Sequence, residues 1–168
     1  MTETAGPVNK PVEFRNGAHS VATPRLGPLL EGKAVIHHLG FVVPSISSAA
    51  EDFAVSMSAR WDGQIVYDAS QRVRVAFFSP ADSRNPVYEL VEPADTDSPV
   101  SSFINRPGGL HHVCYEIDDL VSVLREAVDS GFAIVSDPTP AVAFDGRRIA
   151  WVCSKRRFLI EFLERVRP

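Results

Sequence analysis

The sequence lacks the features that mark several large classes of protein. It has only two cysteines, Cys114 and Cys153, and no CxxC pair, so we expect neither a disulfide framework nor a cysteine-bound metal. No apolar run approaches the roughly 18 residues of a membrane-spanning helix, and the first residues do not have the layout of a signal peptide. These absences predict a cytoplasmic protein with reduced thiols.

The chain also has no large excess of charge of one sign. Its formal net charge is −4, which provides no basic field to attract nucleic acid or an anionic membrane. GxGxxG and Walker patterns are missing, so a nucleotide cofactor is not indicated. The predicted partner is therefore a small molecule, with no nucleic acid and no membrane.

What is present is a proline-rich start followed by a longer part with strand-like texture. Residues 1–33 contain four prolines and four glycines, a composition that supports no regular element of useful length. We predict an extended or disordered N-terminal arm there. The remainder, residues 34–168, is long and apolar enough to bury the core of a single domain.

Three segments of this domain occur twice. They are IHHLGFVV with LHHVCYEI, VRVAFFS with RRIAWVC, and VYELVEP with LIEFLER. The offset is 74 residues for the first two pairs and 72 for the third, so the register holds through the elements between them. Such self-similarity indicates one supersecondary unit that occurs twice.

Each copy reads as strand, helix, strand, strand, strand. The helices are predicted to start near Ser47 or Ser48 in the first copy, and to end at Gly131 in the second. The predicted fold class is α+β: two tandem βαβββ modules, about 34–94 and about 108–165, in a curved, partly open mixed sheet around a shared cavity.

Four polar residues lie inside these apolar strands: His38, Glu89, His112 and Glu161. Taken singly, each is more simply a satisfied core histidine or a solvent-facing glutamate. They recur in register, however, as a histidine on the first strand and a glutamate on the last strand of each copy. Two imidazoles and two carboxylates suit a divalent ion such as Zn²⁺, Ni²⁺, Co²⁺, Mn²⁺ or Fe²⁺ with positions left open. We predict that these four residues are metal ligands.

Each predicted ligand histidine has a second histidine directly before it, His37 and His111. Because successive side chains of a strand point to opposite faces, we expect His37 and His111 on the other face of the sheet. There they would support the ligands from the helix side.

Together with the repeat, the motifs HHLGFVV, VYELVEP, GGLHHVCYEIDDL and LIEFLE resemble the vicinal oxygen chelate superfamily. That superfamily includes glyoxalase I, methylmalonyl-CoA epimerases, extradiol dioxygenases, and bleomycin and fosfomycin resistance proteins. QRVRVAFFSP, ELVEP and DSPVSSFI are most similar to methylmalonyl-CoA epimerases in order and spacing. The resemblance covers about residues 34–165 and implies the same four metal positions. The segments CSKRRFLIEF and AVAFDGRRIAW depart from the loops that epimerases usually have beside the substrate.

The resemblance implies a metal-dependent isomerase, epimerase or lyase that works through an enolate or enediolate. Glu161 is the predicted catalytic base, because the equivalent glutamate has this role in glyoxalase I, and Glu89 is the predicted partner acid. The implied substrate is an acyl-CoA or another acidic carbonyl compound. Four arginines in repeat-related strands could bind a phosphate or carboxylate of an acidic substrate or simply face solvent: Arg72, Arg74, Arg147 and Arg148.

Two alternatives stay open on the same fold. One is an extradiol Fe²⁺ dioxygenase, although Glu89 stands where that family has no ligand. The other is a non-catalytic small-molecule binding or resistance protein, whose relatives generally lack the ligand set. In every case the exposed edges of the predicted sheet make a homodimer the expected assembly.

Overall fold

The computed structural model describes residues 30, 34–104 and 109–166. Except for Leu30, the predicted N-terminal arm lies outside the described residues. The regular elements within them are β1 (Ala34–Val42), α1 (Ile46–Ser56), β2 (Ala59–Trp61), β3 (Val66–Asp68), β4 (Val73–Pro80), β5 (Val87–Pro93), β6 (Leu110–Ile117), α2 (Leu120–Asp129), β7 (Ala133–Pro140), β8 (Arg148–Cys153) and β9 (Leu159–Glu164).

The strands form one mixed sheet in the order β2-β4-β5-β1-β6-β9-β8-β7, with β3 paired to β4. β1 pairs with β5, and β6 with β9, in parallel. The antiparallel pair β1–β6 joins the two copies. We call β1–β5 with α1 module one, and β6–β9 with α2 module two. The predicted α+β fold of two βαβββ modules in an open sheet is confirmed.

Module one differs from the prediction in its second strand, which is split into the short strands β2 and β3. Both pair with β4. The break follows Trp61, whose Nε1 donates to the Gln64 carbonyl at 3.0 Å, while Asp62 Oδ1 accepts from the Gln64 amide at 2.9 Å. Gly63 has φ +84°, a conformation that glycine adopts without steric cost. A local turn therefore replaces continuous pairing.

Both helices begin at a side-chain cap. Ser45 Oγ accepts from the Ser48 amide at 3.4 Å, and Asp119 Oδ1 accepts from the Ser122 amide at 3.0 Å. The predicted start of α1 at Ser47 or Ser48 is therefore wrong by two or three residues. Glu92 Oε2, on β5, also accepts from the Ile46 amide at 2.7 Å, so a distant carboxylate satisfies another free donor of the first turn.

The helices cover one face of the sheet. α1 buries Ile46 and Ala50 against Phe78 and Leu90, and a second apolar cluster joins α2 to β6, β8 and β9: Ile117, Leu120, Val123, Leu124, Ala127, Ala150, Val152 and Phe162. Each large side chain buried in this way contributes about 1.5–3 kcal/mol. We call the opposite face of the sheet the site face. Among the described residues, no helix has the length and apolarity to cross a membrane.

Candidate functional site

The strand pair that joins the modules is irregular at both pairs of adjacent histidines. On β1 the pairing with β6 shifts between Ile36 and His38, which leaves His37 as an extra residue. On β6 the partners of Gly40 and Phe41 are His112 and Leu110, so the residue between them is extra as well. Each module therefore has a β-bulge at its first histidine, and a bulge re-aims side chains.

The bulges overturn the prediction that His37 and His111 point away from the site. His37 Nδ1 lies 2.9 Å from His38 Nδ1, and His111 Nδ1 lies 2.9 Å from His112 Nδ1. Strict alternation of faces does not hold where one strand has an extra residue. Beyond the bulge it does hold, because Phe41 and Val43 pack on the helix face as predicted.

The structure brings the four predicted ligand residues together on the site face. His38 Nε2 lies 3.0 Å from His112 Nε2. Glu89 Oε2 is 3.4 Å from the first of these nitrogens and 3.3 Å from the second, and Glu161 Oε2 is 3.2 Å and 3.5 Å from them. All four residues are at most 5% exposed. We call these four residues the candidate metal centre.

Strand register explains why the four meet. Two rows of cross-strand neighbours pass through the centre, and each joins the glutamate of one module to the histidine of the other: Phe77–Glu89–Gly40–His112 and Trp151–Glu161–Cys114–His38. The rows are related by the sequence repeat at every position. The centre is therefore built across the boundary between the modules, with equal parts from each.

In each row, the residue that lies between the glutamate and the histidine is small: Gly40 in one row and Cys114 in the other. At Gly40 any Cβ would overlap the ring of His112, so glycine is required by close approach rather than by backbone conformation. Its counterpart Cys114 has a buried thiol, and burial together with the charge of Glu161 raises the pKa of that thiol. Neither Cys114 nor the next site-face residue of β6, Glu116, was predicted at the site, although alternation from His112 would have found both.

Without a metal, the glutamates of the centre favour the charged form of the histidines, and the histidines favour the charged form of the glutamates. Burial disfavours the charged form of His38, but the charge of Glu89 and hydrogen bonds with both glutamates outweigh it and raise the pKa of His38 to about 10. The pKa of His112 is raised in the same way. Burial likewise disfavours the carboxylates, yet the two histidines hold the pKa of Glu89 and of Glu161 below its usual range.

The pKa values of the two bulge histidines shift in the opposite direction, downward. Burial, followed by the charge of His38, lowers the pKa of His37. Burial and the charge of His112 lower the pKa of His111 to about 4. Both rings are therefore neutral near pH 7, and a neutral imidazole offers one nitrogen as an acceptor. Each can accept a hydrogen bond from the Nδ1–H of a neighbour whose Nε2 binds a metal.

The donor atoms fit a divalent cation. A tetrahedral ion with bonds of 2.0–2.2 Å has ligand atoms roughly 3.3 Å apart, and the four histidine–glutamate separations are 3.2–3.5 Å. The ligand atoms of His38, Glu89 and His112 all lie within 4.8 Å of one another. Nitrogen and carboxylate oxygen donors in this mixture suit the divalent ions of the first transition row.

Aromatic rings enclose the centre. Phe144 stacks on His38 at 5.7 Å between ring centroids, Phe77 approaches the same histidine at 5.9 Å, and Trp151 lies 4.7 Å from His112. Two apolar surface grooves, one between α2 and β7 and one beside Phe158, lie elsewhere and include none of the four residues. The centre is thus a closed, apolar-walled cluster.

Residues 37–151 match the family model described as the glyoxalase/bleomycin resistance protein/dioxygenase superfamily. The chain belongs to this superfamily. The membership predicted from the motifs is confirmed. Most members of a superfamily share a fold rather than one reaction. Membership therefore establishes the fold, and the activity must be argued from the residues of the site.

Individual relatives agree with this assignment. The ethylmalonyl-CoA/methylmalonyl-CoA epimerase of Cereibacter sphaeroides is 24% identical over 122 residues, which is 71% of this chain and 88% of the relative. The solved hypothetical protein BH1468 of Bacillus halodurans has a TM-score of 0.68 at 26% identity and covers 80% of this chain and 96% of its own. Methylmalonyl-CoA epimerase of Mycobacterium tuberculosis has a TM-score of 0.66 at 21% identity, with 79% and 88% covered, and supports the fold alone.

Proposed function

We propose that the protein is a divalent-metal-dependent isomerase or epimerase that moves a proton on the carbon next to a carbonyl group. The observation that supports this most directly is the convergence of two buried histidines and two buried glutamates, with donor atoms 3.0–3.5 Å apart. An apolar core tolerates such a set only when its charges are satisfied together. The named epimerase relative points to the same chemistry.

In this proposal His38, His112, Glu89 and Glu161 hold the ion. A bound divalent cation supplies the charge that stabilises an enolate or enediolate oxygen. Glu161 removes the proton from the substrate carbon as general base. Glu89 contacts the same histidine pair from the other module. It would take up a proton from solvent and return it to the opposite side of the carbon, while Glu161 would release to solvent the proton that it removed. Carboxylates on two sides are what inversion at one carbon requires.

The surroundings of the centre favour proton transfer over side reactions. Burial of all four residues excludes bulk water, which strengthens electrostatic interactions inside the site. Phe144 stacks on His38, so displacement of this ring would expose one side of that histidine to a substrate. Phe144 ends a short 3₁₀ turn and is followed by Asp145 at φ +53° and Gly146 at φ +80°.

The proposed substrate is an acyl-CoA or another acidic carbonyl compound, in line with the acyl-CoA in the name of the Cereibacter relative. Glyoxalase-like lyase chemistry uses the same proton transfer and belongs to the same proposal. The described cysteines are both free thiols, as expected in the cytoplasm. The edges at β2 and β7 leave room for the predicted homodimer.

The test is metal analysis of the purified chain, followed by α-proton exchange in D₂O with CoA thioesters and with α-hydroxy and α-keto acids. We expect a bound divalent ion and exchange at one α-carbon. Catechol cleavage with Fe²⁺ and no α-exchange would instead support the dioxygenase. Failure to bind any of Zn²⁺, Ni²⁺, Co²⁺, Mn²⁺ or Fe²⁺ would contradict the proposal and favour a binding protein.

A further inference from the structure

Away from the candidate metal centre, the site faces of the two modules differ in charge. In module one, Val42 and Val73 belong to a buried cluster of valines. The repeat places Glu116 and Arg147 at the corresponding positions of module two. Arg147 Nη1 donates to Glu116 Oε1 at 2.7 Å. Module two thus has a half-buried ion pair at the two positions where module one has apolar valines.

Arg147 lies close to the centre. Its Cζ is 5.6 Å from the centroid of Phe144, and the same ring is stacked on His38 at 5.7 Å. Along β6, Glu116 is two residues beyond Cys114, the residue paired with His38, which corresponds to about 7 Å of strand. One aromatic ring therefore separates the guanidinium from the histidines.

The charge at this end of the site face is not neutralised by Glu116 alone. Arg165 Nε also donates to Glu116, at 3.2 Å, so two guanidinium groups share one half-buried carboxylate. The other partner of Arg165 is Asp118, which is 69% exposed. Within the described residues, the side chain of Arg147 makes one hydrogen bond although a guanidinium has five N–H donors. Its side chain is 22% exposed, so part of it is open to a ligand.

The neighbouring arginine shows a different arrangement. Arg148 Nε and Nη2 donate to the two carboxylate oxygens of Glu164, both at 2.7 Å. The corresponding pair in module one is Arg74 with Glu92, at 3.1 Å. Arg148 thus repeats a structural pair on the helix face, whereas Arg147 breaks the repeat on the site face.

We propose that Arg147 is an anion anchor that binds a carboxylate carried by the substrate beyond the oxygens held at the candidate metal centre. The inference rests on the proposed function, because it takes that centre as the place of the reacting carbonyl. A planar guanidinium binds a carboxylate through two parallel N–H···O bonds. The substrate class is a carbonyl compound with a distal carboxylate that reaches past the Phe144 ring.

The test is calorimetric binding of 2-oxo acids to the full chain loaded with Co²⁺. Oxaloacetate, 2-oxoglutarate and 2-oxoadipate are compared with 2-oxobutanoate, 2-oxopentanoate and 2-oxohexanoate, which have the same lengths but no distal carboxylate. We expect one diacid to bind about 10- to 100-fold more tightly than its matched monoacid, as for one charge-assisted contact. Arg147→Met should abolish the difference between diacid and monoacid affinity, and Arg147→Lys should retain part of it.

Arg148→Met is the matched control and keeps the full preference, since Arg148 faces Glu164. Equal affinity for diacid and monoacid in the unchanged protein overturns the anchor, and so does a preference that survives in Arg147→Met. If the protein binds Co²⁺ but neither kind of 2-oxo acid, the chelating role of the centre fails as well, and the anchor falls with it. Equal affinity in the unchanged protein overturns the anchor even if a variant does not fold, and Arg147→Lys is the second variant that tests the assignment to Arg147.

Discussion

Module one contributes His38 and Glu89 to the candidate metal centre, and module two contributes the same residue types, His112 and Glu161, from the same strand positions. Farther along the site face this equivalence ends, since valines in one module correspond to an ion pair in the other. A metal ion is bound by donors at similar distances, which two equivalent modules provide. A substrate with two chemically different ends is bound by side chains that differ between the two modules.

The largest effect is expected when Glu161 and Glu89, the equivalent glutamates of the two modules, are replaced one at a time. We expect Glu161→Gln to keep its metal and to lower α-proton exchange about 100- to 10,000-fold, because the general base is gone. Glu89→Gln should still exchange the proton in D₂O but form the inverted product slowly. Exchange is followed by NMR and metal content by elemental analysis. Loss of exchange only in Glu89→Gln would transfer the role of base to module one.

The second test asks whether the bulge histidines are equivalent, as the two Nδ1–Nδ1 contacts of 2.9 Å suggest. His37→Leu and His111→Leu should each weaken Co²⁺ binding about 10- to 100-fold, since the ligand histidine loses the acceptor that fixes its tautomer. His37→Asn and His111→Asn should recover most of the affinity, because the Asn oxygen can replace Nδ1. Unchanged affinity in the Leu variants would assign these rings to packing alone.

These bulges also show where prediction from sequence stops. The four residues of the centre were predictable, because the repeat selected them and local strand periodicity gave their faces. The face of His37 was not, since an extra residue becomes visible only when two strands 74 residues apart are paired. The start of α1 was missed in part for a related reason: besides the local cap Ser45, Glu92, a residue far along the chain, satisfies the amide of Ile46.

The middle positions of the two rows offer a third test. Gly40→Ala should destabilise the protein by about 1–3 kcal/mol, as other overpacking changes do, because its Cβ overlaps the His112 ring. Cys114→Ala only removes a sulfur and should leave the histidines in place. Denaturant unfolding of both variants, with and without Co²⁺, measures the difference. A Gly40→Ala variant as stable as the unchanged protein would show that His112 can move away at little cost.

A fourth test separates the ligand histidines from the bulge histidines by pH in the metal-free protein. His38 has a raised pKa, so its stabilisation is complete below about pH 6.5 and is lost as the pH rises toward 10. His111 has a lowered pKa, so stability is lost instead as the pH falls from about 6.5 toward 4. Unfolding free energy should therefore be highest near pH 6.5.

The control for this profile is His111→Asn, which should flatten the acid side between about pH 6.5 and 5 and leave the alkaline side unchanged. The slope removed is at most about 1.4 kcal/mol per pH unit for one group. Denaturant unfolding in EDTA, at pH steps on both sides of neutrality, gives the two slopes. An alkaline side that changes together with the acid side would mean that the two histidines titrate as one unit.

The smallest effect is expected on the helix face, where the modules are again alike. Arg148 binds Glu164 through two hydrogen bonds of 2.7 Å, whereas Arg74 binds Glu92 through one of 3.1 Å. Double-mutant cycles of partly exposed pairs give about 0.2–1 kcal/mol, and bidentate geometry belongs at the upper end. We expect a larger coupling energy for the Arg148 pair, measured by urea unfolding and reduced by salt. The cycle cancels the separate contact of Glu92 with the amide of Ile46, so equal couplings would mean that geometry at this surface carries no energetic difference between the modules.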